Sequence, residues 1–309
     1  MKKISLIFFG TEDFAATILQ GLIDSPDFEI KLVITRPDKP VGRKQELQKP
    51  PVKILAKKHG LKVDQPTTLK NFNLPTGAEL GVAVQYGLII PKNILEAPTH
   101  GIINIHPSLL PKYRGASPIQ SAILQGENQT GVTIMKMDEG LDTGPILLQK
   151  QVKIESNETS RTLAQKLAQI AFSALTEAVK GFISGQIQPQ AQDNALATNC
   201  YEFKREDGQI DWSKSAGEIY NQWRALQPWP GVFTEAMFGG KKMKIKILKM
   251  SRGATVEANS TKNFSPFTKI NKKILCAMAG DGQVLIIEEL QPEGKLKMKA
   301  EAFINGYMR

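Results

Sequence analysis

At 309 residues the chain exceeds the length at which a single hydrophobic core stops growing, so two domains are expected. Hydrophobic residues make up 41% and charged residues 23%, no apolar run reaches the roughly 20 residues of a membrane span, and two distant cysteines with three scattered histidines match no zinc or redox spacing. These features exclude a membrane-spanning helix, a disulfide scaffold and a zinc site, and they predict a reducing, cytoplasmic setting with no metal.

The basic start MKK runs straight into ISLIFFG and then meets Glu12 and Asp13, the pattern of a first buried strand (4–10) and not of a signal peptide. Apolar runs then alternate with helical patterns, the mark of a parallel sheet with crossover helices. Strands are predicted over 30–35, 61–63, 80–84 and 102–106. Helices are predicted over 13–24, with Thr11 as N-cap, over 51–59 and over 118–125. VTIMKM (132–137) and PILLQKQVKI (145–154) add two antiparallel strands at one sheet edge, and residues 158–185 form a long amphipathic helix. Periodicity fades over 188–207, which predicts a linker. Beyond it, short strands (242–250, 272–280, 282–290) lie between glycine-rich turns, the pattern of a small β-barrel. The fold class is α/β: a Rossmann-like, mostly parallel sheet in an N-terminal domain (1–187), a linker (188–207) and an OB-like β-barrel over 208–309.

The formal charge of +10 is uneven along this frame. Residues 36–62 hold 9 basic and 2 acidic residues, net +7; residues 208–309 hold 16 and 9, again net +7, which leaves the rest of the chain at −4. Two readings fit: one polyanionic partner that touches both segments, or two solvated lysine surfaces.

The stretch most suited to chemistry is NIHPSLLPKYRG followed by TGVTIMKMDEGLDTG, within residues 104–144. Asn104 and His106 are two apart at the end of a buried strand, so they share a face, and Pro107 ends that strand. Ligands of parallel α/β sheets bind outside the carboxyl ends of strands, where this pair is placed. Asp142 sits in a loop between Gly140 and Gly144, where backbone can bend sharply and approach a ligand. Singly, each has an ordinary reading, as a structural histidine, a backbone-capping asparagine or a turn aspartate. The combination is what singles them out.

These motifs, together with FFGTEDFA, TRPDKPVGR, QYGLIIP, GQIDWS, RALQPWPGV and LQPEGKLKM, resemble the folate-dependent formyltransferases in the expected order along nearly the whole chain. The resemblance implies a formyltransferase domain at the N-terminus and transfer of the formyl group of 10-formyltetrahydrofolate to an amine. It implies that Asn104 and a protonated His106 stabilise the oxyanion, while Asp142 orients the imidazole and assists proton transfer. It places tetrahydrofolate against Ser108, Leu109, Leu110 and Pro111, with Gln85, Tyr86 and Gly87 as a neighbouring wall. Gln85 departs from the alanine common in the family.

Within that family, the two basic segments favour an initiator Met-tRNA as acceptor over a nucleotide sugar, which has only two phosphates to meet. The expected tRNA contacts are Arg36, Lys39, Arg43 and Lys44 in the proline-rich loop and Lys242, Lys244 and Lys246 on one face of a barrel strand. A hydrolase of the same folate usually begins with a regulatory domain that these motifs do not include, and a non-enzymatic RNA-binding module leaves Asn104, His106 and Asp142 unexplained. No membrane partner is expected, and the protein is expected to be a monomer.

Overall fold

Short apolar runs bounded by Gly, Pro or Asp become strands covered on both faces, because the crossover helices of a parallel sheet leave neither face to water. In the computed structural model, which describes residues 3–41, 45–238, 240–253, 267–270 and 272–308, the chain opens with β1 (Ile4–Gly10), α1 (Asp13–Asp24), β2 (Phe28–Ile34), β3 (Lys39–Val41), β4 (Glu46–Gln48) and α2 (Pro51–Lys58). It continues with β5 (Val63–Asp64), β6 (Leu80–Val84), α3 (Lys92–Leu95), β7 (Ile102–His106), β8 (Arg114–Gly115) and α4 (Pro118–Leu124). Then follow β9 (Gln129–Lys136), β10 (Ile146–Lys153), α5 (Ser160–Ile183) and β11 (Asn199–Cys200).

Two units emerge: Met1–Pro118 with Gln129–Lys153 and Ala164–Cys200, and Ile119–Asn128 with Ile154–Leu163 and Tyr201–Arg309. The first is built on a seven-stranded sheet in the order β10-β9-β7-β6-β1-β2-β5. Strands β7, β6, β1, β2 and β5 are parallel, and β9 and β10 add antiparallel strands at one edge, as the sequence predicts. Leu6, Ile7, Phe8 and Phe9 of β1 are wholly buried, which fits a strand near the middle of such a sheet.

Two local expectations are corrected. Thr11 does not cap α1: Glu12 occupies the N-cap position without a side-chain bond, and the Thr11 hydroxyl donates instead to the Tyr86 carbonyl at 3.0 Å. A buried tertiary acceptor outcompetes the helix terminus for this hydroxyl, since Thr11 is itself buried. The strand predicted over 61–63 begins only at Val63, as β5, because the Leu61 N–H turns back to the Ala56 carbonyl (3.0 Å) and closes the end of α2. The segment expected as linker carries order of its own: Gln190 pairs with Ile146, and β11 pairs with β8.

The second unit contains α6 (Ala216–Ala225), β12 (Val232–Phe238), β13 (Lys241–Arg252), β14 (Phe267–Lys269), β15 (Leu275–Met278), β16 (Val284–Pro292), β17 (Met298–Lys299) and α7 (Ala300–Tyr307). Its sheet is antiparallel, in the order β12-β13-β16-β15-β14 with β17 on β16, and register shifts near Lys249 bend β13. This is the small β-domain of OB-like type that the sequence predicts. Ile245, Ile247, Leu285, Ile287, Leu290 and Phe303 form its interior. Helix α6 begins with the reciprocal Ser215 and Glu218 capping bonds that SAGE encodes.

Candidate active site

The alternation of NIH in β7 buries Ile103 and Ile105 in the core and leaves Asn104 and His106 on a common face. β7 lies between parallel β6, which pairs with it as far as Asn104, and antiparallel β9, which pairs with it as far as His106. Asp142 arrives from the loop that links β9 to β10. The structure brings these three side chains together although 38 residues separate Asn104 from Asp142.

His106 is 4% exposed. Its Nε2 lies 2.8 Å from the Tyr113 carbonyl, which can only accept, so Nε2 carries a proton. Nδ1 faces Asp142 Oδ2 at 3.5 Å. Each ring nitrogen thus faces an oxygen acceptor. Asp142 Oδ2 also accepts the Gly115 N–H (2.8 Å), and Oδ1 accepts an Asn104 Nδ2–H at 3.4 Å. One N–H of the Asn104 amide faces Asp142, and among the described residues no hydrogen bond is seen to the second.

Two glycines make the arrangement possible. A Cβ on Gly115 would lie 2.2 Å from the Cys200 carbonyl, and one on Gly144 would lie 1.9 Å from the Lys136 carbonyl. Only glycine permits these approaches, and Gly115 also adopts φ +112°. Asp142 itself has φ +52°, a left-handed conformation that a non-glycine residue holds only when its surroundings fix it.

The SLLP segment is fastened from below. The Ser108 hydroxyl donates to the Lys112 carbonyl (2.6 Å). The Thr133 hydroxyl donates to the Ser108 carbonyl (2.7 Å) and accepts the Leu110 N–H (3.1 Å), and Gln149 Nε2 donates to the Leu110 carbonyl (2.9 Å). Leu110 is buried, whereas Leu109 and Pro111 remain half-buried.

On the neighbouring segment, Gln85 is exposed with φ +46°, and Gly87 has φ +76°. Tyr86 is buried with its ring edge-on to Phe9 at 5.5 Å. Among the described residues its hydroxyl has no hydrogen-bond partner, and burial pushes the phenol up to about 12.

The residues expected to meet tRNA are placed unevenly. Arg36 lies against the backbone of Gly87, its Nη1 3.2 Å from where a Cβ would stand. Lys39 is exposed on β3, which pairs with β4. Asp38 anchors the base of that loop: Gln65 and Lys53 donate to its carboxylate and hold it below the usual range. Arg43 and Lys44 lie outside the described residues. Lys242, Lys244 and Lys246 share the face of β13 opposite buried Ile245 and Ile247. Lys242 pairs with Glu235 (2.7 Å), Lys244 lies over the Phe233 ring (3.8 Å to its centre), and Lys246 is exposed.

Sequence reasoning missed Thr133, Gln149, Arg114 and Gln192. Gln149 lies on the edge strand β10 and Thr133 on β9 beside it, where their polar character reads as ordinary. Arg114 stands inside the quoted motif, and its burial was the missing signal; its guanidinium donates to Gln192 Oε1 (2.7 Å) and Asn194 Oδ1 (2.8 Å). Two clefts, of about 230 Å³ beside Phe72–Thr76 and about 370 Å³ beside Lys92 and Lys136, include none of Asn104, His106 and Asp142 in their walls. Among the described residues, no group of three or more His, Cys, Asp or Glu could hold a metal ion.

The profile of the formyl transferase family matches residues 2–179, and that of the formyl transferase C-terminal domain matches residues 202–308. The chain is 46% identical to a methionyl-tRNA formyltransferase of Caldicellulosiruptor saccharolyticus, over 98% of this chain and 97% of that one. It is 40% identical to one from Desulfotalea psychrophila, over 99% and 93%. Among solved structures it resembles an N-formyltransferase from Helicobacter canadensis in complex with folinic acid and dTDP-3-aminofucose. That match has a TM-score of 0.67 and 21% identity, and covers 93% of this chain and 99% of that one.

Proposed function

Because the chain belongs to the formyl transferase family across both its N-terminal and C-terminal domains, we propose that it transfers the formyl group of 10-formyltetrahydrofolate to the α-amine of methionine on initiator Met-tRNA. The observation that carries the acceptor is similarity along the whole length, both domains included, to relatives named for that substrate. In this reading residues 1–187 hold the folate and the reacting groups, and residues 208–309 with the 36–49 loop hold the tRNA. Two separated basic segments are what a long polyanion requires.

The neutral methionyl amine attacks the formyl carbon, the carbonyl oxygen takes up negative charge, and the bond to N10 then breaks. The amine loses one proton and N10 gains one, so the reaction is balanced without an external acid. Asn104 offers its second amide N–H to the developing oxyanion, and the buried His106, when protonated, adds a positive charge beside it. Asp142, anchored by the Gly115 N–H, orients the imidazole and receives the amine proton directly or through water. SLLP and the Tyr86–Gly87 turn line the folate side.

The test is an acceptor assay with purified protein, formyl-labelled 10-formyltetrahydrofolate, and Met-tRNA set beside a UDP-amino sugar and water. Label is expected on methionine. Label on the sugar, or release as formate at an equal rate with and without Met-tRNA, would overturn the assignment.

A further inference from the structure

Asp142 occupies a left-handed backbone conformation, and its own carboxylate bonds do not fix its main chain. The main chain is held from a distant part of the sequence. Gln192 Nε2 donates to the Asp142 carbonyl and to the Gly144 carbonyl, both at 2.8 Å. Both of its N–H donors are thereby committed to the two ends of the DTG turn. Its Oε1 accepts from Arg114 Nε (3.1 Å) and Nη2 (2.7 Å), and a second oxygen, Asn194 Oδ1, holds the same Nη2 at 2.8 Å. Arg114 is only 7% exposed, so this orientation of the Gln192 amide is fixed: oxygen toward the guanidinium, nitrogen toward the loop.

The same segment fastens the other side of the site. The Arg114 N–H donates to the Thr198 carbonyl (2.8 Å), and the Tyr113 N–H donates to the Thr198 hydroxyl (2.9 Å). Those two residues present the Tyr113 carbonyl to His106 and precede the Gly115 N–H that binds Asp142. Gln192 and Thr198 therefore fasten both the loop carrying Asp142 and the loop orienting His106. Gln192 lies between the two stretches matched by the family profiles.

We propose that Gln192 is a positioning residue for formyl transfer, one that sets Asp142 against His106 by clamping the backbone of the Asp142–Gly144 turn. The proposal rests on the reading of Asp142 given above. Its bonds go to Arg114, Asp142 and Gly144, so its loss is expected to change turnover and not affinity.

The decisive variant is Gln192→Glu. It keeps, and charge-strengthens, the bond to Arg114, but places acceptors opposite the Asp142 and Gly144 carbonyls. Gln192→Ala removes both bonds and serves if the glutamate variant does not fold. Asn194→Ala loosens Arg114 without touching the Asp142 turn. With Met-tRNA and 10-formyltetrahydrofolate, both Gln192 variants are expected to lose about 10- to 100-fold in kcat, the scale of a misplacement near 1 Å, with KM for each substrate within about twofold. Asn194→Ala is expected to keep kcat within about twofold of the unaltered protein.

Amide hydrogen exchange over residues 138–144, measured without substrates, should rise in the Gln192 variants and stay level in Asn194→Ala. That readout separates a failed clamp from a failed assignment of acceptor, which would show as an unaltered protein that does not formylate Met-tRNA. Normal kcat in a folded Gln192 variant overturns the proposal. So does a loss confined to KM, equal damage in Asn194→Ala, or unchanged exchange at 138–144.

Discussion

The Thr133 hydroxyl is where the SLLP loop, proposed above to line the folate site, can be perturbed without opening a cavity, since valine has nearly the same shape. Thr133 is fully buried, and its hydroxyl makes three bonds: it donates to the Ser108 carbonyl and accepts from Leu110 N–H and Gln149 Nε2. In Thr133→Val, Gln149 Nε2 keeps its second acceptor, the Leu110 carbonyl at 2.9 Å, and is not orphaned. The Leu110 N–H and the Ser108 carbonyl do lose their partner. A buried unsatisfied group costs about 1–3 kcal/mol, with a carbonyl toward the lower end, so the first unit should lose about 2–4 kcal/mol. Equilibrium urea unfolding of the full chain, followed through the transition of that unit, measures this loss. The SLLP segment should also bind a tetrahydrofolate analogue about tenfold more weakly, if reordering it costs about 1.4 kcal/mol. Thr133→Ser keeps all three bonds, loses one methyl and should cost only about 1 kcal/mol. A valine variant that loses less than about 1 kcal/mol and binds the analogue normally would refute the view that this hydroxyl holds the loop.

Alanine at Asn104, His106 or Asp142 should each lower kcat/KM by roughly 100-fold or more at little cost to the unfolding midpoint; near-normal turnover would remove that residue from the mechanism. Tyr86→Phe deletes a buried hydroxyl that lacks a partner among the described residues, so the unfolding midpoint should hold or rise, and a fall would mean the hydroxyl is satisfied. Affinity for Met-tRNA should fall steeply with salt, and Lys246→Ala should reduce the slope of log K against log salt by about one unit; a slope unchanged in that variant would take Lys246 off the phosphate path. Arg43→Glu should impair use of Met-tRNA while the folate analogue still binds, and normal formylation by that variant would leave the proline-rich loop without a role in tRNA contact.

The sequence by itself determined the parallel sheet, the antiparallel edge and the small β-domain, because these follow from local apolar periodicity and its breaks. It also brought out Asn104, His106 and Asp142, since two polar residues on one face of a strand end and an acidic residue between glycines are local patterns. What it could not decide was which distant groups compete for each donor. Thr11 has the chemistry of an N-cap, but the Tyr86 carbonyl, 75 residues away, captures its hydroxyl. Arg36 counts as one more charge in a basic loop, but its guanidinium lies against Gly87. The polar stretch QAQDN reads as linker because it lacks periodicity. Its order comes from the pairing of Gln190 with Ile146 and from Gln192, whose bonds reach Asp142 and Gly144 about 50 residues back and Arg114 further still. Periodicity reports which residues leave water, whereas hydrogen bonds of buried polar groups are made between segments that only the folded chain brings together. The tertiary structure alone decided how the site is held, for that reason.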